Sequence, residues 1–196
     1  RDSYIVDLSN MRETRITRDG KWNQIINGNA DWVYEEEFSM SQAFQWSPDG
    51  SKIAFWRFDE SGVKEFNMQL WGDLYPEDYK FKYPKAGEDN SEIQIKVYNL
   101  QNNRTRTMDI GTETDIYVPR IFWTRNNNTL SIMRLNRLQN RMDLLHANVN
   151  TGKTQTVYTE ESKTYLEYSN NLQYLSNNQS FILSSEKDGY RHIYHY

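Results

Sequence analysis

Trp46-Ser-Pro-Asp-Gly-Ser-Lys-Ile53-Ala-Phe55 sets an aromatic residue before a polar turn, and an apolar alternation resumes seven residues on. The pattern returns in weaker form as Trp123-Thr-Arg-Asn-Asn-Asn-Thr-Leu130-Ser-Ile132 and as Tyr174-Leu-Ser-Asn-Asn-Gln-Ser-Phe181-Ile-Leu183. Each copy reads as strand, tight turn, strand. Between the copies runs a second hairpin-like element: Tyr4 to Leu8 with Glu13 to Ile16, Ile95 to Leu100 with Thr105 to Met108, and His146 to Val149 with Thr154 to Val157. Its internal spacing is constant, because Leu8 and Ile16, Leu100 and Met108, and Val149 and Val157 all lie eight apart.

Two alternating hairpins repeat with a period of 49 residues from Leu100 to Val149 and 51 from Trp123 to Tyr174. A four-stranded antiparallel unit recurring at that interval is a β-propeller blade. The chain is therefore expected to be all-β, a partial propeller of about four blades. A β-sandwich with chance likeness between its turns is the alternative, but a sandwich requires no fixed period.

Composition agrees with a folded domain. The 196 residues are only 37% hydrophobic, yet 6 Trp, 14 Tyr and 8 Phe are far more aromatic than a disordered chain carries. A balance of 23 basic to 27 acidic residues, net −4, lacks the basic excess of a phosphate-tracking surface, so no nucleic-acid partner is expected. No stretch approaches the roughly 18 consecutive apolar residues of a membrane-spanning helix. With Cys 0 there is no disulfide framework, thiolate nucleophile or Cys-ligated zinc. The chain opens at Arg1 and stops within the alternation Ile193-Tyr-His-Tyr196, which reads as a piece of something longer.

Two spacings break the period. Leu8 to Trp46 spans 38 residues where 23 and 25 separate the equivalent pairs Leu100–Trp123 and Val149–Tyr174. Trp46 to Leu100 spans 54 where 26 separate Trp123 from Val149. One blade thus carries an insertion before Trp46 and a longer one after Phe55, and insertions in repeats map to loops, often on the binding face.

The shorter insertion contains Asp31-Trp-Val-Tyr-Glu-Glu-Glu-Phe38. On a strand, neighbouring side chains point to opposite faces, so Glu36 and Glu37 could not address one ligand; on a helical turn they lie about 100° apart and can converge. Asn29 or Asp31 could cap such a turn, and carboxylates suit the positive end of its dipole. A converging, partly desolvated pair would be costly without a cation, and an ammonium group fits that need. The competing reading is a short capped helix with Glu35, Glu36 and Glu37 in water, and composition alone favours it. The longer insertion, Asp59 to Gly87, holds Phe66, Leu70, Trp71, Leu74, Tyr75, Tyr79, Phe81, Tyr83 and Pro84. Such residues pack on the protein or dock on a partner, as an arm mediating oligomerisation would.

Self-contained catalytic chemistry is missing. The sequence has no Gly-x-Ser-x-Gly, His-Glu-x-x-His, P-loop, Gly-x-Gly-x-x-Gly or calcium loop, so neither a catalytic residue nor a metal or cofactor is assigned. Its three histidines, His146, His192 and His195, read as structural.

The run Asp31 to Phe38, then Trp46-Ser-Pro-Asp-Gly-Ser-Lys-Ile-Ala-Phe-Trp-Arg-Phe58, Tyr83-Pro-Lys-Ala-Gly87 and Asp188-Gly-Tyr-Arg-His-Ile193 follow one another at fitting distances. Together they closely resemble the N-terminal propeller of the dipeptidyl peptidase IV family of prolyl oligopeptidase-like serine peptidases, its bacterial members in particular. The resemblance covers essentially the whole chain. It implies that residues 1–196 are a fragment of an eight-bladed propeller, with the α/β-hydrolase domain and its Ser, Asp and His triad elsewhere in the same chain. The implied parent is an extracytoplasmic, periplasmic enzyme that releases dipeptides with Pro or Ala in second position from free peptide N-termini. Glu36 and Glu37 match the pair that binds the substrate α-ammonium, with Glu35 beside them. The Asp59 to Gly87 insertion matches the arm that takes part in homodimerisation. Tyr165 to Tyr174 departs from the family pattern in having neither Arg nor Phe. A non-enzymatic propeller of the cell envelope, its glutamates merely exposed, is the alternative.

Overall fold

The computed structural model describes residues 1–168 and 170–196. Ser169, inside the Tyr165 to Tyr174 stretch, lies outside the described residues. In chain order the elements are β1 (Tyr4–Asp7), β2 (Arg12–Arg15), β3 (Ile25–Asn27), α1 (Trp32–Glu36), β4 (Phe44–Trp46), β5 (Lys52–Asp59), β6 (Glu65–Leu70), β7 (Glu77–Lys82) and β8 (Glu92–Asn99). They continue as β9 (Arg104–Thr107), β10 (Ile116–Trp123), β11 (Thr129–Asn136), β12 (Arg141–Asn148), β13 (Thr154–Glu161), β14 (Gln173–Tyr174), β15 (Phe181–Ser185) and β16 (His192–His195). Every pairing that is resolved is antiparallel, and one five-residue helix is the only α-helix among the described residues.

The repeat is visible as register. Trp46 pairs with Ile53, Trp123 with Leu130, and Tyr174 with Phe181, so the aromatic and the apolar residue seven places on face each other across each turn. The turns share a device: Asp49, Asn126 and Asn177 each accept the backbone N–H two residues ahead, at 3.0, 2.9 and 3.0 Å. The second hairpin has its own constant register, Asp7 to Arg12 and Asn99 to Arg104. Asn148 N–H completes the set by donating to Lys153 C=O at 2.9 Å. Here Asp7, Asn99 and Asn148 make the same side-chain turn, at 2.9, 2.8 and 3.0 Å. A short polar side chain that bonds its own backbone two residues on stabilises a turn locally, before any tertiary contact forms.

The chain forms two compact units, residues 1–43 with 56–93 and residues 44–55 with 94–196. In the second unit β10-β11-β12-β13 is the four-stranded sheet that the period predicts. Val118, Ile121, Leu130, Ile132, Met133, Leu135 and Leu144 are wholly buried. Burying such a side chain contributes roughly 1.5–3 kcal/mol. The outer strands β2 and β9 are exposed throughout and consist of Arg, Glu and Thr, which suits an edge that must resist pairing with other chains. The β14-β15-β16 sheet has three strands.

The insertion-bearing sheet departs from the four-stranded expectation. It has five strands, in the order β3-β5-β8-β9 with β4 also on β5. Phe44 to Trp46 pair with Phe55 to Ile53, and Ile25 to Asn27 with Asp59 to Arg57, so β4 and β3 occupy successive halves of one strand edge. Between them residues 28–43 leave and rejoin the sheet at Trp56. Gly28 N–H donates to Trp56 C=O and Trp56 N–H to Ala43 C=O, both at 3.0 Å, while Asn29 bridges Gln42.

The long insertion after β5 is the two-stranded β6-β7 hairpin. Its aromatic residues divide. Phe66, Phe81 and Tyr83 meet at ring-centroid distances of 5.4 to 6.1 Å, whereas Trp71, Leu74 and Tyr75 near the tip are largely exposed.

Four residues after Asp7, Asn99 and Asn148 the second hairpin has Met11, Asn103 and Gly152, and all three have left-handed φ, at 57°, 56° and 80°. Glycine and asparagine tolerate this region, but a methionine side chain is strained there. Met11 is also exposed, so its side chain buries little in return. Met11→Asn should raise thermal stability, by about 0.5–1 kcal/mol in a melting experiment.

Candidate functional site

Helix α1 lies in the 28–43 excursion. Five residues cannot hold a helix in water unaided, since nucleation costs more than one turn returns. Three features of the sequence hold it here. Asp31 is the N-cap, its Oδ1 accepting Tyr34 N–H at 2.9 Å. Val33 and Tyr34 turn inward, and Phe38 and Met40 follow them into the core of the first unit. The Tyr34 ring lies 5.0 Å from Phe38 and 4.9 Å from Phe58, the latter edge-on. Of the two caps the sequence allows, the structure uses Asp31.

Asp31 does more than cap. Its Oδ2 accepts the Ser91 hydroxyl at 2.7 Å, and both side chains are buried. Burial pushes the Asp31 carboxyl above its ordinary range, and the bonds from Ser91 and Tyr34 oppose that rise only in part. Glu60 is a second buried carboxylate of the same unit. Its Oε1 has no hydrogen-bond partner among the described residues. Burial above all pushes its carboxyl up; Arg1 pulls it down and Asp31 adds to the rise.

The helix brings the three sequence-predicted residues together. Glu35 and Glu36 are on α1 and Glu37 is its C-cap. All three are exposed, and none of their carboxylates has a hydrogen-bond or ion-pair partner among the described residues. One of the two readings of the run is favoured, and one expectation is corrected. The pair is not desolvated, because the inward face of so short a helix is already taken by Val33 and Tyr34. Only Glu35 falls in the first turn; Glu36 and Glu37 stand at the carbonyl end, where the dipole disfavours negative charge.

Trp32, the first helical residue, packs on Tyr83 with ring centroids 3.9 Å apart and planes at 45°. Ser91, Tyr83 and Glu60 were not candidates on sequence. Asp31 and Ser91 are 60 residues apart, and no local pattern signals such a bond. His146 takes a structural place: its Nε2 meets the Tyr174 hydroxyl at 2.7 Å, and burial lowers its basicity. No group of three or more potential metal ligands occurs among the described residues.

Asp31→Ala should lower stability by about 0.5–2 kcal/mol through loss of the cap, while Asp31→Asn keeps an acceptor for Tyr34 N–H and most of that stability. A carboxyl with a raised pKa contributes stability below its unfolded pKa and loses it as pH rises through the folded value. Melting curves across that range should therefore show wild type losing ground to Asp31→Asn as pH rises.

The family model described as the dipeptidyl peptidase IV (DPP IV) N-terminal region matches residues 1–196. The crystal structure of Porphyromonas gingivalis dipeptidyl peptidase 4 superposes on the whole chain with a TM-score of 0.93 and 38% identity, over 28% of that protein. Dipeptidyl peptidase 4 of Felis catus is 31% identical over 98% of this chain and 28% of its own length. A Mus musculus relative named inactive dipeptidyl peptidase 10 is 35% identical over 93% of this chain and 24% of its own length. The chain thus spans about a quarter of the length of the relatives it matches. Matched from end to end by the family model and by the fold of a solved member, the chain belongs to the dipeptidyl peptidase IV N-terminal region family.

Proposed function

We propose that this chain is the N-terminal propeller segment of a serine-type dipeptidyl peptidase, in which Glu36 and Glu37 bind the α-ammonium of the substrate and Glu35 stands beside them. The observation that carries the reading is two adjacent exposed carboxylates, neither ion-paired to a side chain among the described residues, on a helix that its cap and core residues hold in place. Adjacent negative charges at the carbonyl end of a helix repel each other and the helix terminus. A cation with three N–H donors relieves both costs.

Anchoring the ammonium sets the distance from the peptide N-terminus to the bond that is cut. Positioning of this kind lowers a barrier by pre-paying orientation entropy. The substrates are then peptides with a free N-terminus, Pro or Ala in second position, released as dipeptides. Residues 1–196 form part of an eight-bladed propeller that gates access to an α/β-hydrolase domain elsewhere in the same chain, where the catalytic triad resides. The exposed Trp71, Leu74 and Tyr75 at the tip of the 59–87 arm suit a homodimer contact. The family's peptidases imply an extracytoplasmic, periplasmic location; among the described residues no helix is long and apolar enough to cross a membrane.

A second reading has one observation in its favour. The same segment is 35% identical to a relative named inactive, so a propeller of this type also serves chains without peptidase activity. In that case the protein is a binding module of the cell envelope. Assay of the full-length protein separates the two. Glu36→Ala and Glu37→Ala should each lower kcat/KM for free-amine substrates tenfold or more, since a charge-assisted contact contributes roughly 1.5–3 kcal/mol. An N-blocked peptide should be cleaved poorly by wild type and lose little further on mutation. Equal losses on both substrates would contradict the ammonium role. Absence of any peptidase activity in the full-length protein would favour the binding module.

A further inference from the structure

The position of α1 is set from two sides. Val33 and Tyr34 fix its inward face, and its first residues are held from a second side. Two further constraints come from one segment, residues 83–91, which leads from the long insertion into β8. Tyr83 packs on Trp32 at 3.9 Å between centroids, and the Ser91 hydroxyl donates to Asp31 Oδ2 at 2.7 Å. One contact is apolar, the other polar, and they grip consecutive residues at the start of the helix.

That segment is itself fixed. Tyr83 N–H donates to Lys64 C=O at 3.0 Å, and its ring lies 5.4 Å from Phe66 and 6.1 Å from Phe81. Lys64 Nζ pairs with Glu88 at 2.5 Å, and Ser91 leads directly into β8. Trp32 and Glu36 are four residues apart, so they share one face of the helix. A shift of the indole is therefore felt first at Glu36.

We propose that Tyr83 and Ser91 are positioning residues for the ammonium-binding pair: they hold α1 in the orientation that presents Glu36 and Glu37 together. This rests on the ammonium reading of those two glutamates. Neither Tyr83 nor Ser91 touches the substrate in this scheme, and each acts through Trp32 or Asp31. The insertion is then more than an arm, because its return segment is a wall of the substrate site's scaffold.

The test uses the full-length protein, a chromogenic dipeptide substrate with a free amine, and an organophosphorus serine reagent that carries no amine. Tyr83→Ala and Ser91→Ala should raise KM for the free-amine substrate by about tenfold with kcat little changed, because a misplaced anchor costs binding before chemistry. Tyr83→Phe and Ser91→Thr, which keep the ring and the hydroxyl, should stay near wild type. Reaction with the amine-free reagent should be unchanged in all four. An unchanged KM in Tyr83→Ala and Ser91→Ala, with a raised KM in Glu36→Gln, would overturn the positioning role and leave the ammonium reading standing. An unchanged KM in Glu36→Gln would overturn the ammonium reading itself. Equal losses with the free-amine substrate and the amine-free reagent would show general structural damage and also overturn the proposal. Should Tyr83→Ala fold poorly, Ser91→Ala against wild type decides the matter, since only a hydroxyl separates them.

Discussion

Strand β5 has one edge to offer toward β3 and β4, and it divides that edge between them. Residues 53–55 are taken by β4 and residues 57–59 by β3, with Trp56 bonded at the boundary to both Gly28 and Ala43. The shorter departure of this chain from its repeat follows from that division. The 28–43 excursion must leave and re-enter at a fixed point, and α1 has to form within it. Because the two ends are closed by backbone hydrogen bonds, the loop is short and well anchored, and its helix can be rigid despite having five residues.

Rigidity matters because the exposed charge is concentrated. A flexible tripeptide of glutamates would spread its carboxylates through water and bind a cation weakly, losing side-chain and backbone entropy each time. On α1 the backbone entropy is already lost, through the Asp31 cap and the burial of Tyr34. The cost is carried in the interior, where the Asp31 and Glu60 carboxyls are both driven up by burial. Buried carboxylates weaken a fold, and their presence beside a preorganised acidic helix fits a site that gives up stability for geometry.

How much of this was legible in the sequence depends on range. The hairpin registers could be read because they are local: Asp49, Asn126 and Asn177 recur at one turn position, and Asp7, Asn99 and Asn148 at another. The glutamate run could be placed on a helical turn because Asp31 precedes it at capping distance. Strand β3 could not be read, since Ile25, Ile26 and Asn27 become a strand only by pairing with residues some thirty positions on. The Tyr83–Trp32 and Ser91–Asp31 contacts join residues 51 and 60 apart, and neither carries a local signature. Solvent exposure of Glu36 and Glu37 was one of the two readings the run allowed, and the neighbours that filled the inward face, a tertiary fact, decided between them.

The central claim is that Glu36 and Glu37 together hold a substrate ammonium. A crystal structure of the full-length protein with a bound free-amine dipeptide would test it most directly. The account predicts the terminal nitrogen within about 3 Å of an oxygen from each of the two carboxylates, the ordinary distance for a charge-assisted hydrogen bond. A bound dipeptide whose nitrogen lies elsewhere, with both carboxylates facing solvent, would contradict it.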